Sequence, residues 1–377
     1  MSRTRIASFN VENMFDRPRV MNADDWAEGA PVLAAFARFN ELAQLDVYDT
    51  GTRDELLHLL EVLGLLRSDS SRFAVLRRIR GKLLTRHRNG ETSPVARGRA
   101  DWVGWVELVT EQVTELATQH TAMVVRDVGA DVLGVLEVES RPLLELFSES
   151  ALAEVDWSPY DQSLLIDGND ARGIDVGLMC RGGFEVSFIR THIYDEDAAG
   201  RIFSRDCAEF HLVGPEEQRL VVLVNHFKSK GYGTPGDPIG AVRRARQAAR
   251  VAEIYEDLLA EGIDHVAVVG DLNDWPGGGS LGALLEDTSL TDISGHPAFE
   301  WNGRLGTWRS GGETAKIDYV LLSPALFAGA VGGRRVPQGR APRITHTRRV
   351  GGVRHPHARR RLGASDHAAI HADIEWT

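Results

Sequence analysis

The chain carries little that would cross-link it, anchor it or repeat it. Cysteine is nearly absent: Cys180 and Cys207 are the only two in 377 residues. They form neither a CxxC nor a metal-ligand spacing, so they read as reduced, partly buried thiols of a reducing compartment. No apolar run approaches the ~20 residues that a membrane-spanning helix needs, and no membrane partner is expected. The opening MSRTRIASFN passes straight into a strand-like run, without the basic, apolar and cleavage regions of a signal peptide. The expected location is the cytoplasm. No internal repeat is present. Net positive charge is missing too: the sum is −11, which taken alone argues against a polyanionic partner. With 43% hydrophobic and 26% charged residues, the composition is that of an ordinary globular protein.

The distribution of charge says more than its sum. From Arg67 to Arg99 there are ten Lys or Arg against Asp69 and Glu91. From Arg334 to Arg361 there are ten Arg, three His (His346, His355, His357) and no acid. A basic run on its own reads as a solvated segment. The second block, however, runs directly into the ASDH motif at Ala364–His367, where positive charge would attract a phosphate backbone.

Apolar patterning sets out the elements. Arg3–Asn10 reads as a strand. Residues 17–104 lack strand signals. Within them Glu55–Leu66 and Arg72–Leu84 carry apolar residues at helical spacing, so 17–104 reads as a mostly helical insertion. Trp105–Arg126 also approaches helical spacing. A strand at 131–138 and a helix at Arg141–Leu152 follow. Strand candidates come next at Ile174–Cys180, Glu185–Ile193, Cys207–Val213 and 219–226. Beyond a Gly/Pro loop, an amphipathic helix covers Ile239–Leu259. Strands at 265–270, 317–322 and 368–375 complete the chain. Strands that stand both singly between helices and in runs argue against a purely parallel, doubly wound sheet. Two sheets packed face to face with helices outside fit better.

Several of these strands end in polar residues, which is costly in a buried run unless a cation or hydrogen-bond partner waits there. Glu137 tips the strand Asp131–Val138, which is apolar on both faces, and suits a hard cation such as Mg²⁺. It could equally be a salt-bridged strand end. Asn10 and Glu12 stand two apart and so share a face; Asn offers an oxygen to a metal or an amide donor to a phosphate, and is also a common turn residue. Asp271 and Asn273 close the run VAVVG as a water-positioning carboxylate beside an amide donor, or as an Asx-turn. His226 ends VVLVN and precedes Lys228 and Lys230, a cationic group suited to an oxyanion. Asp318 opens one late strand. The pair Asp366–His367 enters another, and an Asp on one strand orienting a His on the next fixes a tautomer. Each motif alone has a plain structural reading. Their joint order points to one metal-containing site at one rim of a β-rich core.

The series ASFNVEN, DVLGVLEVE, VLVNHFKSK, VAVVGDLND, KIDYVLL and ASDHAAI resembles the endonuclease/exonuclease/phosphatase superfamily, the deoxyribonuclease-I-like fold, over residues 3–16 and roughly 105–377. FNVENMFD with NHFKSKG is most similar to its bacterial nuclease branch. The resemblance implies an α/β (α+β) four-layer sandwich: two packed mixed β-sheets flanked by helices, in one domain over 1–377 with 17–104 inserted after the first strand. It implies Mg²⁺ (or Mn²⁺) as cofactor. Glu137 matches the principal metal-binding Glu and Asn10 the Asn beside it. Glu12 matches an acidic second-metal ligand, and Asp366 a metal-side Asp. Asp271 and Asn273 match the Asp-x-Asn pair that positions the attacking water, and Asp318 with His367 the Asp–His dyad. His226 matches a phosphate-side His. Arg205, with Lys228 and Lys230, would face backbone phosphate.

The expectation is therefore a metal-dependent phosphodiester hydrolase, a nuclease with DNA or RNA as substrate. A phosphatase or phosphodiesterase on a small or lipid phosphoester is the alternative within enzymes. A non-catalytic binding module on a degenerate scaffold is a third reading, disfavoured because Glu137 and His367 are both retained. Trp102 and Trp105 of the insertion would either dock a partner or pack the insertion.

Overall fold

The computed structural model describes residues 2–14, 20, 26–87, 89, 91–109, 115–170, 173–231, 233–309, 311–337 and 364–376. The chain forms two compact units, one of Met1–Phe15 with Val113–Thr377 and one of Asp16–Gln112.

In the larger unit the strands are β1 (Arg3–Met14), β2 (Val132–Val138), β3 (Gln162–Ile166), β4 (Asp175–Cys180), β5 (Glu185–Arg190), β6 (Cys207–Val213), β7 (Arg219–His226), β8 (Val266–Asp271), β9 (Thr291–Asp292), β10 (Phe299–Glu300), β11 (Asp318–Leu322), β12 (Ala330–Val336) and β13 (Ala369–Glu375). A two-residue hairpin at Glu196–Asp197 and Gly200–Arg201 stands apart. The principal helices are α1 (Glu115–Val128), α2 (Arg141–Leu146), α3 (Ala241–Ala260) and α4 (Gly282–Leu285). One sheet runs β10-β12-β13-β1-β2-β4-β3 and the other β9-β11-β8-β7-β6-β5.

The two sheets pack face to face. Ile6, Val132, Leu136, Val224, Val269, Val320 and Ile370 fill the space between them. The alternate residues of the same strands point outward. On one side Phe9, Leu133 and Val135 pack with Val125 and Val128 of α1 and Leu144 of α2. On the other, Leu223, Val268 and Leu321 pack with Val251 and Tyr255 of α3. Strands covered on both faces must be apolar at nearly every position, which is why β2, β7 and β8 read as unbroken hydrophobic runs. The expected four layers are present.

Gly134 sits where the sheets approach closely: an added Cβ would meet Val269 Cγ2 at 2.7 Å and Val224 Cγ1 at 3.5 Å. Gly134→Val is expected to destabilise the protein by about 1–3 kcal/mol through overpacking, read as a fall in the urea midpoint. An unchanged midpoint would mean the sheets are not this close.

Topology decides where the polar strand ends go. β1 and β2 are parallel, with Asn10 opposite Leu136. β7 and β8 are parallel, with His226 opposite Asp271. Each pair therefore ends at one edge. β11 and β13 run antiparallel to β8 and β1, so they begin at that edge: Asp318 lies opposite Asp271, and Ile370 opposite Ser8.

The smaller unit has helices Trp26–Leu42 and Thr50–Val62, a ribbon of Ala74–Gly81 with Trp102–Leu108, and a shorter one of Leu84–Arg86 with Thr92–Pro94. Its own core gathers Phe39, Leu60 and Trp102. The Thr50–Val62 helix is capped by Asp49, which accepts the Thr52 N–H at 2.7 Å. Arg72–Leu84, expected as helix, is instead largely strand. Phe73, Leu76 and Ile79 mimic helical spacing, but Ala74 and Leu76 alternate inward and a register shift between Arg78 and Arg80 resets the phase. Likewise Trp105–Arg126 is not one helix: its start belongs to the Trp- and Val-rich strand Trp102–Leu108, a composition that suits a pleated surface. The unit is helical in its first half and β in its second. Of the basic block Arg334–Arg361, Arg334–Val336 lies in β12, and 338–363 fall outside the described residues.

Candidate active site

The rim where β1, β2, β7 and β8 end gathers most of the polar residues singled out from the sequence. Glu137 leaves the ladder at a register shift between Leu136 and Val138, and its φ is 64°. Glu12 (φ 52°) and Asn273 (φ 54°) share that left-handed backbone. Non-glycine residues in this region carry about 1–3 kcal/mol of strain each, and such strain concentrates at functional sites. Here it turns three polar side chains out of regular strand geometry.

Asn10 is fully buried and holds two carboxylates together. Its Nδ2 donates to Glu137 Oε1 at 3.2 Å and to Asp271 Oδ2 at 3.3 Å. Its Oδ1 accepts the Glu12 backbone N–H at 3.0 Å. A backbone N–H can only donate, so this bond fixes the amide orientation. Asn10, expected beside the metal as an oxygen ligand, thus presents donors to the carboxylates. His226 Nε2 stands 3.7 Å from both Glu137 Oε1 and Asp271 Oδ2. Asp271 Oδ1 accepts the Asn273 N–H at 2.8 Å, and Asn273 Nδ2 donates to the Phe227 carbonyl at 3.1 Å.

His367 completes the group. Its Nδ1 meets Asp318 Oδ2 at 2.9 Å, which places the proton on Nδ1 and aims Nε2 outward. Nε2 lies 3.8 Å from Asp271 Oδ2 and 3.6 Å from Asp366 Oδ1. Ligand atoms of Asp271, Asp318 and His367 all fall within 4.8 Å of one another. Because Nδ1 of His367 is committed to Asp318, we read these three as an Asp–His dyad facing a carboxylate.

Electrostatics follow from burial. Removal from water pushes Asp271 up to about 7, with Asp318 and Glu137 adding to the rise against the pull of His367. Glu12 is raised to about 7, first by burial and then by the Asp366 carboxylate. Burial alone would lower His367, but the negative charges of Asp318 and Asp271 outweigh it and raise the imidazole to about 10.

Not every expected residue joins the group. Arg205 is 2% exposed; its Nε meets Asp170 at 2.9 Å and its Nη1 donates to the Phe227 carbonyl at 3.0 Å. It braces the loop after His226 from within and presents no guanidinium to a phosphate. Lys230 is drawn to Asp274 at 2.7 Å, and the Lys228 backbone N–H is held by Gln247 at 2.9 Å.

Other residues hold the site and carried no signal in the sequence. Ser365 Oγ donates to the Asn10 carbonyl at 2.7 Å and accepts the His367 N–H at 2.9 Å, tying β1 to the dyad. Thr307 Oγ1 accepts the N–H groups of Ile317 and Asp318, each at 3.1 Å. Trp308 Nε1 and Arg309 Nε reach Asp366 Oδ2 at 2.9 and 3.3 Å. Lys316, given no role by its motif, is buried between Asp292 at 2.7 Å and the Asp318 carbonyl at 3.0 Å.

Comparison with known proteins matches the Endonuclease/Exonuclease/phosphatase family over residues 98–367. No curated protein matches. Among solved structures, the chain is similar to the mannosyl-6-phosphatase Bt3783 of Bacteroides thetaiotaomicron at 16% identity and a TM-score of 0.51, covering 69% of this chain and 92% of that one. It is similar to a second Bacteroides thetaiotaomicron protein, described as of the endonuclease/exonuclease/phosphatase family, at 15% identity and 0.49, covering 70% and 90%. Truncated TDP2 of Caenorhabditis elegans gives 17% identity and 0.46, covering 69% and 91%. At these identities the likeness is one of fold. Among the described residues, no helix is long and apolar enough to cross a membrane.

Proposed function

The chain belongs to the Endonuclease/Exonuclease/phosphatase family and is a phosphoester hydrolase, and from that premise we propose that it is a divalent-metal-dependent phosphodiesterase acting on DNA or RNA. The observation that carries this reading is the meeting of Glu137 and Asp271 at the Asn10 amide, 3.2 and 3.3 Å away, with the Asp318–His367 dyad behind them.

The donor set fits a hard cation. Glu137, Glu12 and Asp366 bring carboxylate oxygens to one rim, and Glu12 and Asp271 are held at about 7 by burial and neighbouring negative charge that a cation would offset. Glu137 with Glu12 and Asp366 would hold Mg²⁺ or Mn²⁺. When bound, the ion supplies neutralising charge to phosphoryl oxygens. Asp271, ionised near neutral pH, orients water in line with the phosphorus and takes its proton. His367, kept cationic by Asp318, donates from Nε2 to a phosphoryl oxygen as charge builds there. Asn273 and His226 bear on the same developing charge, while Asn10, its amide protons given to Glu137 and Asp271, positions those carboxylates.

Metal and protons compete for these carboxylates. A carboxyl group whose folded pKa is raised makes the metal-free protein less stable as pH climbs through the raised value, because the folded state must then release a proton it holds more tightly than the unfolded chain does. Glu12 and Asp271 place that loss between the ordinary carboxyl range and about 7. The gain in Tm on adding Mg²⁺ is therefore expected to be larger at about pH 8 than at about pH 6. Differential scanning calorimetry reads it; a gain that shrinks with rising pH would contradict the assignment.

The Arg-rich segments support nucleic acid as substrate, whereas the net charge of −11 favours a small phosphoester. Hydrolysis of closed circular plasmid, single-stranded DNA, RNA, bis(p-nitrophenyl) phosphate and a p-nitrophenyl monoester, with Mg²⁺ or Mn²⁺, separates the two. Cleavage of the nucleic acids and the diester is expected. Cleavage confined to the monoester would reject the reading. The circular substrate also distinguishes internal from end-dependent cutting.

A further inference from the structure

The Asp16–Gln112 unit holds a surface that the active site does not use. Its larger ribbon pairs Leu76 with Val106 and Gly81 with Trp102 on the face turned to the unit's core, where Trp102 is 1% exposed. Residues paired across an antiparallel ribbon share a face and successive ones alternate. The pairs Arg77–Trp105 and Arg80–Val103 therefore point the opposite way. Trp105 is 42% exposed and Ile79, at the bulge, is 70% exposed. Of the two tryptophans, one packs the insertion and the other stands in the open.

Positive charge is dense on and beside the ribbon, with Arg77 and Arg80 on the same face as that tryptophan. Arg77, Arg78, Arg80, Lys82, Arg97 and Arg99 are all exposed. Only Arg77 is neutralised among them, by Glu107 at 2.6 Å. Arg78 and Arg80 spend donors on the carbonyls of Gly81 and Arg99. Among the described residues, no carboxylate lies within ion-pair distance of Arg78, Arg80, Lys82, Arg97 or Arg99. Acids beside the ribbon include Glu107, spent on Arg77, and Asp101, whose carboxylate accepts the Arg97 backbone N–H at 2.9 Å. Five like charges without an ion pair, on and beside one ribbon, repel one another unless a polyanion relieves them.

We infer that this ribbon is a binding surface for single-stranded nucleic acid, its cations tracking the phosphates and Trp105 stacking on a base. The pattern of a basic track with an aromatic platform, tolerant of sequence, is what single strands require. A duplex hides its base faces, and the exposed indole has no counterpart there. The inference goes beyond the active-site reading and does not depend on hydrolysis.

The test uses the full chain carrying His367→Ala, in EDTA, so that nothing is cleaved. Anisotropy of a fluorescein-labelled oligo-dT reads binding across a salt series. Arg80→Glu with Arg99→Glu, neighbours through the bond from Arg80 to the Arg99 carbonyl, is expected to weaken binding about tenfold or more and to reduce the log–log salt slope by about 1.4, since each single-strand phosphate contact contributes about 0.7. Trp105→Ala is expected to weaken binding about tenfold with the slope unchanged. Arg219→Glu, exposed on the other unit, is the charge control and should bind like the parent. The proposal is overturned if the ribbon variants, folded by circular dichroism, bind within about twofold of the parent. It is also overturned if the parent ignores the oligonucleotide and binds anionic phospholipid vesicles. Binding without turnover in the active chain would instead fault the nuclease reading and leave this one standing.

Discussion

Asp271→Asn is expected to lower kcat on a phosphodiester by about 10³-fold while raising the Tm of the metal-free protein. The two effects have one cause. Asp271 is 2% exposed and stands against Asp318 and Glu137, so its ionised form is expensive in the fold, and its pKa of about 7 expresses that cost. Asparagine keeps the shape and can still accept the Asn273 N–H that Asp271 Oδ1 accepts at 2.8 Å, giving up only the longer 3.3 Å bond from Asn10 to Oδ2. It removes the buried charge, which relieves the fold at neutral pH and above. Under the proposed mechanism it also removes the oxygen that takes the proton of the attacking water, and the rate falls. A residue that merely closed a turn would show neither the stabilisation nor the loss. Retention of more than about a tenth of wild-type kcat would deny Asp271 its role.

The dyad carries the second large effect. His367→Ala is expected to reduce kcat/KM by about 10²–10³-fold, because the donor to the phosphoryl oxygen is gone. Asp318→Asn keeps the imidazole but withdraws the first of the negative charges that raise it to about 10. The folded pKa of His367 must then fall. In the proposed mechanism the cationic form is the active one, so activity is lost at high pH as the proton leaves, and the alkaline limb of kcat/KM is expected to move to lower pH. Combining the two substitutions should cost little more than His367→Ala alone, since Asp318 acts through the histidine. A pH profile unmoved by Asp318→Asn would show that the 2.9 Å contact between them does not set the imidazole charge.

Much of this was legible from strand ends. Parallel strands deliver their carboxyl ends to one edge, so Asn10, Glu137, His226 and Asp271 could be grouped once β1–β2 and β7–β8 were recognised as apolar on both faces. What the pattern could not contain was orientation. The Asn10 amide turns its nitrogen to the carboxylates because the Glu12 N–H claims its oxygen, and that depends on the left-handed backbone at Glu12, which no composition signals. Arg205 looked like a phosphate contact from its neighbours in the chain, yet its long side chain reaches inward to Asp170 and the Phe227 carbonyl. Ser365 and Thr307 were silent because one hydroxyl in a loop has no periodicity; Ser365 acts on the Asn10 carbonyl at the far end of the chain, and Thr307 on the N–H of Asp318 across a loop.

The sheets were less evenly readable. β3 (QSLLI) and β12 (AVGGRRV) gave no strand signal, the first being short and the second interrupted by two glycines and two arginines. In β12 it is pairing with β13 that imposes the strand, with Arg335 buried at 2% and donating to the Gly306 carbonyl. In the insertion, Phe73, Leu76 and Ile79 matched a helical period by accident of a bulge. Local periodicity fails where partner strands decide the phase.

The account turns on one claim, that side chains from separate strands form a single metal-dependent site for phosphoester hydrolysis. The direct measurement is initial-rate hydrolysis of bis(p-nitrophenyl) phosphate by chelator-stripped wild-type protein and Glu137→Gln, each titrated with Mn²⁺. Wild-type activity is predicted to be absent without metal and to saturate as Mn²⁺ is added, with Glu137→Gln at least about 10²-fold slower at every concentration. Equal rates for the two proteins, or hydrolysis that persists unchanged in EDTA, would contradict it.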